Sequence, residues 1–316
     1  MSVTQSIKRP LVVLTGPTAV GKTKLSIALA KAIGGEILSA DSMQVYKHMD
    51  IGSAKIRPEE MQGVPHHLID ILEPWEEFNV VVFQKRCLEC MEQIYDRGHI
   101  PILVGGTGFY IQAVLRGIDF TENEENTEYR EKMEQLAKEK GPEVLHDMLR
   151  KIDPVSAENI HTNNIKRTIR ALEYYELTGE PISAHNEREK ERTSPYNFSY
   201  FVLTDDRAKL YERIDRRVDQ MLKDGLVEEV KGLQQEGCHR GMVSMQGLGY
   251  KEILAYLEGE YDLERAVYLI KRDTRHFAKR QLTWFRRDER IKFLYIDDYD
   301  TPDGLLNAAL AALRGE

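Results

Sequence analysis

Residues 16–23 read Gly16-Pro17-Thr18-Ala19-Val20-Gly21-Lys22-Thr23. Glycines at both ends let such a loop wrap closely, and its N–H groups can cradle phosphate oxygens at a helix N-terminus. The lysine neutralises them and the threonine hydroxyl suits Mg²⁺. All eight residues are assigned to a polyphosphate or pyrophosphate, with Thr23 as the metal ligand. ATPases and many kinases also hold Mg²⁺ with an aspartate closing an apolar strand. Here the apolar run 100–104 ends instead in Gly105-Gly106-Thr107-Gly108. The strand-end aspartate is Asp41, followed by Ser42, Met43 and Gln44, and Ile69-Asp70 is a weaker candidate. A carboxylate opposite a phosphate loop can act as general base for an entering nucleophile. The same residue can simply cap a helix.

Arg217 adds an independent clue. On a helix carrying Leu210, Ile214, Val218 and Met221 it falls in the middle of the apolar stripe. A guanidinium there needs a partner: a core carboxylate, or the leaving phosphate of a reaction. Arg213 lies at the edge of the stripe and is the alternative.

Two stretches concentrate positive charge. Lys166, Arg167 and Arg170 share one arc of a helix whose other side carries Ile165, Ile169 and Leu172. Residues 271–292 hold nine Lys or Arg against three acids, a window of +6 in a chain of net −8. Either arc could be a solvated face, but two of them beside a phosphate site point to the backbone of a nucleic acid. His276 in the second arc reads as a polar contact. Between the two lies Ser244-Met245-Gln246-Gly247-Leu248-Gly249-Tyr250, where closely spaced glycines and a tyrosine suit either the approach of a base or a plain loop.

The elements that must position these residues follow from periodicity. Short apolar runs at 11–15, 36–40 and 100–104 alternate with helical patterns, and each ends at one of the motifs. This predicts an α/β fold, a P-loop-type parallel sheet flanked by helices, with ligands beyond the carboxyl ends of the strands. The pattern breaks after Gly117. Residues 118–198 read as a helical insertion domain of net −6, between two parts of a catalytic core at 1–117 and 199–316. Further strands are expected at 200–203 and 293–296.

The 316 residues, 41% hydrophobic and 30% charged, suit a globular protein with a real core. No apolar run approaches the ~20 residues of a membrane span, and no signal core precedes a cleavage site, so a cytoplasmic protein is expected. Of three cysteines, Cys87 and Cys90 form a C-x-x-C inside a helical run and Cys238 precedes His239. No second close pair completes a zinc site.

Taken together, GPTAVGKT, SADSMQVY, ILVGGTGFY, NIKRTIRALE, ERIDRRVDQML, SMQGLGYKE and AKRQLTWFR resemble the bacterial tRNA dimethylallyltransferase (tRNA isopentenyltransferase) family. These stretches span residues 11–287 in the family's order. The resemblance implies transfer of a dimethylallyl group from dimethylallyl diphosphate to N6 of adenosine 37 in tRNAs reading codons that begin with U. The phosphate loop would hold the diphosphate, with Thr18 contributing. Thr23 with Mg²⁺, Lys22 and Arg217 would hold the leaving group, and Asp41 would accept a proton from N6. The anticodon stem-loop would meet Asp41, Ser42, Met43 and Gln44, then Thr107 and Arg130. It would also meet Lys166, Arg167, Thr168, Ile169 and Arg170, and Met245, Gln246, Gly247, Leu248, Gly249 and Tyr250. Lys279, Arg280, Gln281, Leu282, Thr283, Trp284, Phe285 and Arg286 would complete the path, and the chain would act as a monomer. The C-terminal zinc finger of the eukaryotic relatives has no counterpart here, which leaves Mg²⁺ as the metal.

Three rival readings remain at this level. A phosphate-loop kinase of a small metabolite lacks the expected aspartate after Val104. An adenylate isopentenyltransferase leaves the insertion and the 271–292 track without a use. An RNA-binding protein that uses nucleotide only as a switch does not need Asp41 or Arg217.

Overall fold

The computed structural model describes residues 8–120 and 127–315. In its first part β1 (Arg9–Thr15), α1 (Lys22–Ile33), β2 (Gly35–Ser39), β3 (His66–His67), α2 (Val80–Asp96), β4 (Ile100–Gly105) and α3 (Gly108–Arg116) follow one another. Helices α4 (Thr127–Lys140), α5 (Pro142–Ile152), α6 (Pro154–Asn159), α7 (Ile165–Thr178) and α8 (Ile182–Glu191) come next. The chain then returns through β5 (Tyr196–Thr204), α9 (Arg207–Lys223), α10 (Leu226–Gln235), α11 (Tyr250–Leu257), α12 (Leu263–Phe285), β6 (Ile291–Tyr295) and α13 (Pro302–Arg314).

The six strands form one sheet in the order β3-β2-β4-β1-β5-β6, and every pairing is parallel. The expected parallel α/β fold is therefore present. Alternate residues of each strand feed opposite faces, as the pleat requires. Leu11, Val13, Leu38 and Leu103 join one core with Phe83, Met91, Ile253 and Ile270. Val12, Leu14, Ile37 and Ile102 join the other with Leu25, Leu29, Ile214 and Ala309.

Two strands differ most from the periodicity. The fifth begins at Tyr196, because β1 pairs with it along its full length, Arg9 against Tyr196 through Thr15 against Val202. The two-residue β3 has no periodicity to read and exists only through its pairing with β2, Ile37 against His66 and Leu38 against His67.

The chain divides into two compact units, one ending at Leu115 and resuming at Pro195, the other running Arg116–Ser194. The helical unit has its own core of Met133, Leu145, Leu149, Ile169 and Leu172. Among the described residues no helix is long and apolar enough to cross a membrane. Cys87 and Cys90 are free thiols on α2, and no group of three potential metal-binding His, Cys, Asp or Glu occurs among the described residues.

Candidate active site

The phosphate loop leaves β1 at Thr15, whose hydroxyl donates to the Gly105 carbonyl at 2.6 Å and ties the ends of two adjacent strands. Gly16 has φ +149°, and a Cβ there would lie 2.3 Å from the Leu203 carbonyl oxygen, so only glycine fits. Ala19 is left-handed at φ 63°, and Gly21, at φ 98°, starts α1. This is the strand–loop–helix setting that presents the unpaired N–H groups of a first helical turn to an anion. The Lys22 ammonium folds back over the loop and donates to the carbonyls of Gly16 and Pro17, each at 2.9 Å. The Thr23 side chain, at the exposed start of α1, has no protein hydrogen-bond partner among the described residues, which suits a metal ligand.

Asp41 follows β2 directly. The Ala40 N–H donates to the Val104 carbonyl at 2.7 Å and the Thr107 N–H to the Ala40 carbonyl at 3.3 Å, so the ends of β2 and β4 meet here. Asp41 Oδ1 accepts from the N–H groups of Met43 at 2.8 Å and Gln44 at 3.4 Å. The capping role is thus real, on a turn rather than a helix, and it engages one carboxylate oxygen. Asp70 is bound at 2.5 Å to the buried Lys55, which also reaches Asp50 and the Tyr46 carbonyl.

Leu210, Ile214 and Val218 of α9 are buried, as the stripe predicts. The two arginines on that helix separate cleanly. Arg213 forms an ion pair with the buried Asp205. Arg217 makes no ion pair with any described residue and instead shares an electrostatic environment with Lys22 and Asp41. Burial first and the Arg217 charge second bring Lys22 down to about 8, against the opposing pull of Asp41. Arg217 is likewise lowered by burial and raised by Asp41. Two desolvated cations with one shared carboxylate make a pocket that favours a further anion.

The runs expected to meet RNA divide into exposed and buried members. Met43 lies against Gly247, which joins the turn after Asp41 to the 245–250 run. Gln246 is exposed and Leu248 is half-buried. Tyr250, however, is fully buried, and its ring packs on Gly52. Its hydroxyl donates to Glu229 at 2.7 Å and accepts from the Ser53 N–H at 3.2 Å. The base-stacking role that a tyrosine suggested is therefore not open to it. Glu229, which the sequence did not single out, also accepts from the N–H groups of Asp50, Ile51 and Gly52 and so organises that loop.

On α12 the arc of charge is partly committed to structure. Lys271 pairs with Asp219 at 2.6 Å and Arg275 with Asp215 at 2.5 Å, both acids of α9, and Arg272 pairs with Asp273 at 2.7 Å. Lys279, Arg280 and Arg286 are exposed and make no ion pair with any described residue. Gln281 and Phe285 are buried, and Leu282 packs against the second core. Thr283 donates to the Lys279 carbonyl at 3.0 Å. The exposed Trp284 rests on Gly108 and meets the exposed Phe109 edge-on, with the Arg287 guanidinium over its ring.

The helical unit shows the same division. Arg130 grips the buried Glu173 at 2.8 and 3.0 Å, and Arg170 adds a third bond at 3.0 Å. Thr168 and Ile169 are buried, while Lys166 and Arg167 are exposed and make no ion pair with any described residue.

Models of the IPP transferase and isopentenyl transferase families match residues 44–288 and 10–71. The tRNA dimethylallyltransferase of Lachnoclostridium phytofermentans is 63% identical over 305 residues, 96% of this chain and 97% of that protein. That of Carboxydothermus hydrogenoformans is 58% identical over 283 residues, 90% of this chain and 91% of that protein. Among solved structures, the tRNA isopentenylpyrophosphate transferase of Bacillus halodurans superposes with a TM-score of 0.74 at 45% identity, covering 98% of each chain. A eukaryotic dimethylallyltransferase acting on tRNA superposes at 0.82 and 32% identity, covering 97% of this chain and 79% of that one.

Proposed function

The chain belongs to the IPP transferase family, and from that premise we propose that this tRNA-modifying prenyltransferase moves a dimethylallyl group from dimethylallyl diphosphate to N6 of adenosine 37 in tRNAs reading codons that begin with U. The observation that carries the diphosphate assignment is the half-buried pair Lys22 and Arg217, both lowered by burial, with Asp41 as their shared counter-charge.

In the reaction the N6 lone pair forms a bond to the allylic carbon. The carbon–oxygen bond to diphosphate breaks, its electron pair leaves with the diphosphate, and one N6 proton passes to Asp41. An exocyclic amine is a weak nucleophile, so stabilising the departing charge is the largest expected contribution. Lys22, Arg217 and the residues Gly16 to Gly21 supply it. Mg²⁺, held by Thr23, would neutralise further negative charge on the same group. With Oδ1 engaged by the turn, the second oxygen of Asp41 is the acceptor.

The tRNA anticodon stem-loop is read as meeting the exposed Lys279, Arg280 and Arg286 on α12 and Lys166 and Arg167 on α7. The target adenine must leave its stack to reach the pocket. The protein acts in the cytoplasm as a monomer.

The test is incubation with tRNA, Mg²⁺ and either dimethylallyl diphosphate or ATP, followed by nuclease digestion and mass analysis. A gain of one dimethylallyl group on adenosine 37 is expected. Turnover of ATP without that gain would establish a kinase instead.

A further inference from the structure

We propose that Gln281 is a positioning residue of the phosphate site and not an RNA contact: its side chain staples the phosphate loop to the end of β4. The inference rests on the diphosphate reading of that loop. Gln281 is 6% exposed on a helix whose neighbouring Lys279, Arg280, Thr283 and Trp284 face solvent. A buried carboxamide must find both an acceptor and a donor. Here Oε1 accepts from the Thr18 N–H at 3.0 Å, and Nε2 donates to the Gly106 carbonyl at 3.0 Å.

The two groups belong to the loops that leave β1 and β4, strands that pair Thr15 against Gly105. One side chain from the far end of the sequence therefore fixes the spacing between the phosphate loop and the turn opposite it. The fit is close, because a Cβ on Gly106 would lie 2.1 Å from Gln281 Nε2. Glutamine alone has the reach together with both polarities. Glutamate cannot donate to Gly106, and methionine keeps the volume but does neither. Thr18 sits between Gly16 and the left-handed Ala19, so holding its N–H steadies the part of the loop with the least common backbone conformations. The Thr18 N–H is thereby engaged, and its hydroxyl, with no hydrogen-bond partner among the described residues, is the group left to meet a phosphate.

The experiment compares wild type with Gln281→Met, which preserves packing, and Gly106→Ala, which displaces the same carboxamide from the other side. Affinity for inorganic pyrophosphate with Mg²⁺ is measured by calorimetry, KM for dimethylallyl diphosphate by turnover, and tRNA affinity by filter binding. Both variants should weaken pyrophosphate and raise KM by about tenfold, the scale of one to two lost hydrogen bonds, with tRNA affinity within about twofold. Weakened tRNA binding with unchanged pyrophosphate affinity would make Gln281 an RNA contact and overturn the proposal. A lower melting temperature with neither affinity altered would make it packing alone, and also overturn it. Failure of the wild type to bind pyrophosphate or transfer the prenyl group would instead remove the diphosphate reading on which the staple depends.

Discussion

The two ends of β2 carry opposite electrostatic arrangements. Near its start, the buried Glu36 receives two bonds from Arg97, at 2.9 and 2.7 Å, and contacts from His67 at 2.7 Å and His99 at 2.6 Å. Arg97 above all, then His99 and His67, hold its carboxyl down at about 2 against the opposing effect of burial. Just past the other end, Asp41 shares its field with two half-buried cations, Lys22 and Arg217, and forms an ion pair with neither. One cluster is closed and complete, the other is short of negative charge. A closed cluster contributes to folding, whereas an incomplete one keeps its binding energy for a ligand, which is why the second marks the site.

The comparison breaks most visibly through Asp41. Asp41→Ala should lower kcat for prenyl transfer by about 10²–10⁴-fold, the usual range for a general base, with tRNA affinity retained. Arg217→Ala should cost about 10²–10³-fold, as for loss of a leaving-charge donor. Single-turnover prenylation beside filter binding checks both, and unchanged turnover in Asp41→Ala would remove it as the base.

Glu36→Gln should do the reverse. It should lower stability by about 1–3 kcal/mol, the cost of unpairing charge-assisted hydrogen bonds, and leave kcat alone, as denaturant titration and turnover would show. The sign with pH follows from its lowered value. The contribution of Glu36 is complete above its ordinary 4.5 and is lost as pH falls toward about 2, so the variant should have the flatter acid melting profile.

A smaller effect should appear at high pH. Lys22 titrates at about 8 without ligand and binds diphosphate in its charged form. KM for dimethylallyl diphosphate should therefore rise above about pH 8, by at most about tenfold per pH unit. Removing the like charge in Arg217→Ala should move that break upward. A KM independent of pH would mean that the Lys22 charge does not hold the diphosphate.

The smallest expected effect sharpens the same contrast on α12. Lys279→Ala with Arg280→Ala should reduce the slope of tRNA affinity against salt by about one to two. Lys271→Ala with Arg275→Ala should lower the melting temperature and leave the slope alone, since their charges are already matched by Asp219 and Asp215.

These contrasts also mark how far the sequence could be read. The phosphate loop, Asp41 and the buried stripe that singles out Arg217 are local patterns, set by a few consecutive residues or by helical spacing, and each is legible without a fold. The Glu36 cluster went unread because its four members span residues 36–99 and meet only through the order β3-β2-β4. A charged residue at the head of the apolar run 36–40 was the available signal. Tyr250 misled for the same reason, as an aromatic beside glycines suits a base until the Gly52 backbone is known to lie beneath it.

What the sequence by itself determined is the set of local devices: a loop shaped for phosphate, strands ending at chemistry, helices with charged arcs, and membership of a prenyltransferase family. Only the tertiary structure decided which charges are already matched. Arg130, Lys271 and Arg275 turn to carboxylates of neighbouring helices, Arg170 to Glu173 on its own helix, Arg213 to Asp205, and Gln281 to two loops of the site. The physical reason is that periodicity places a side chain on a face of its own helix or strand. Whether an opposite charge or an open carbonyl waits across that face depends on packing between segments far apart in the chain.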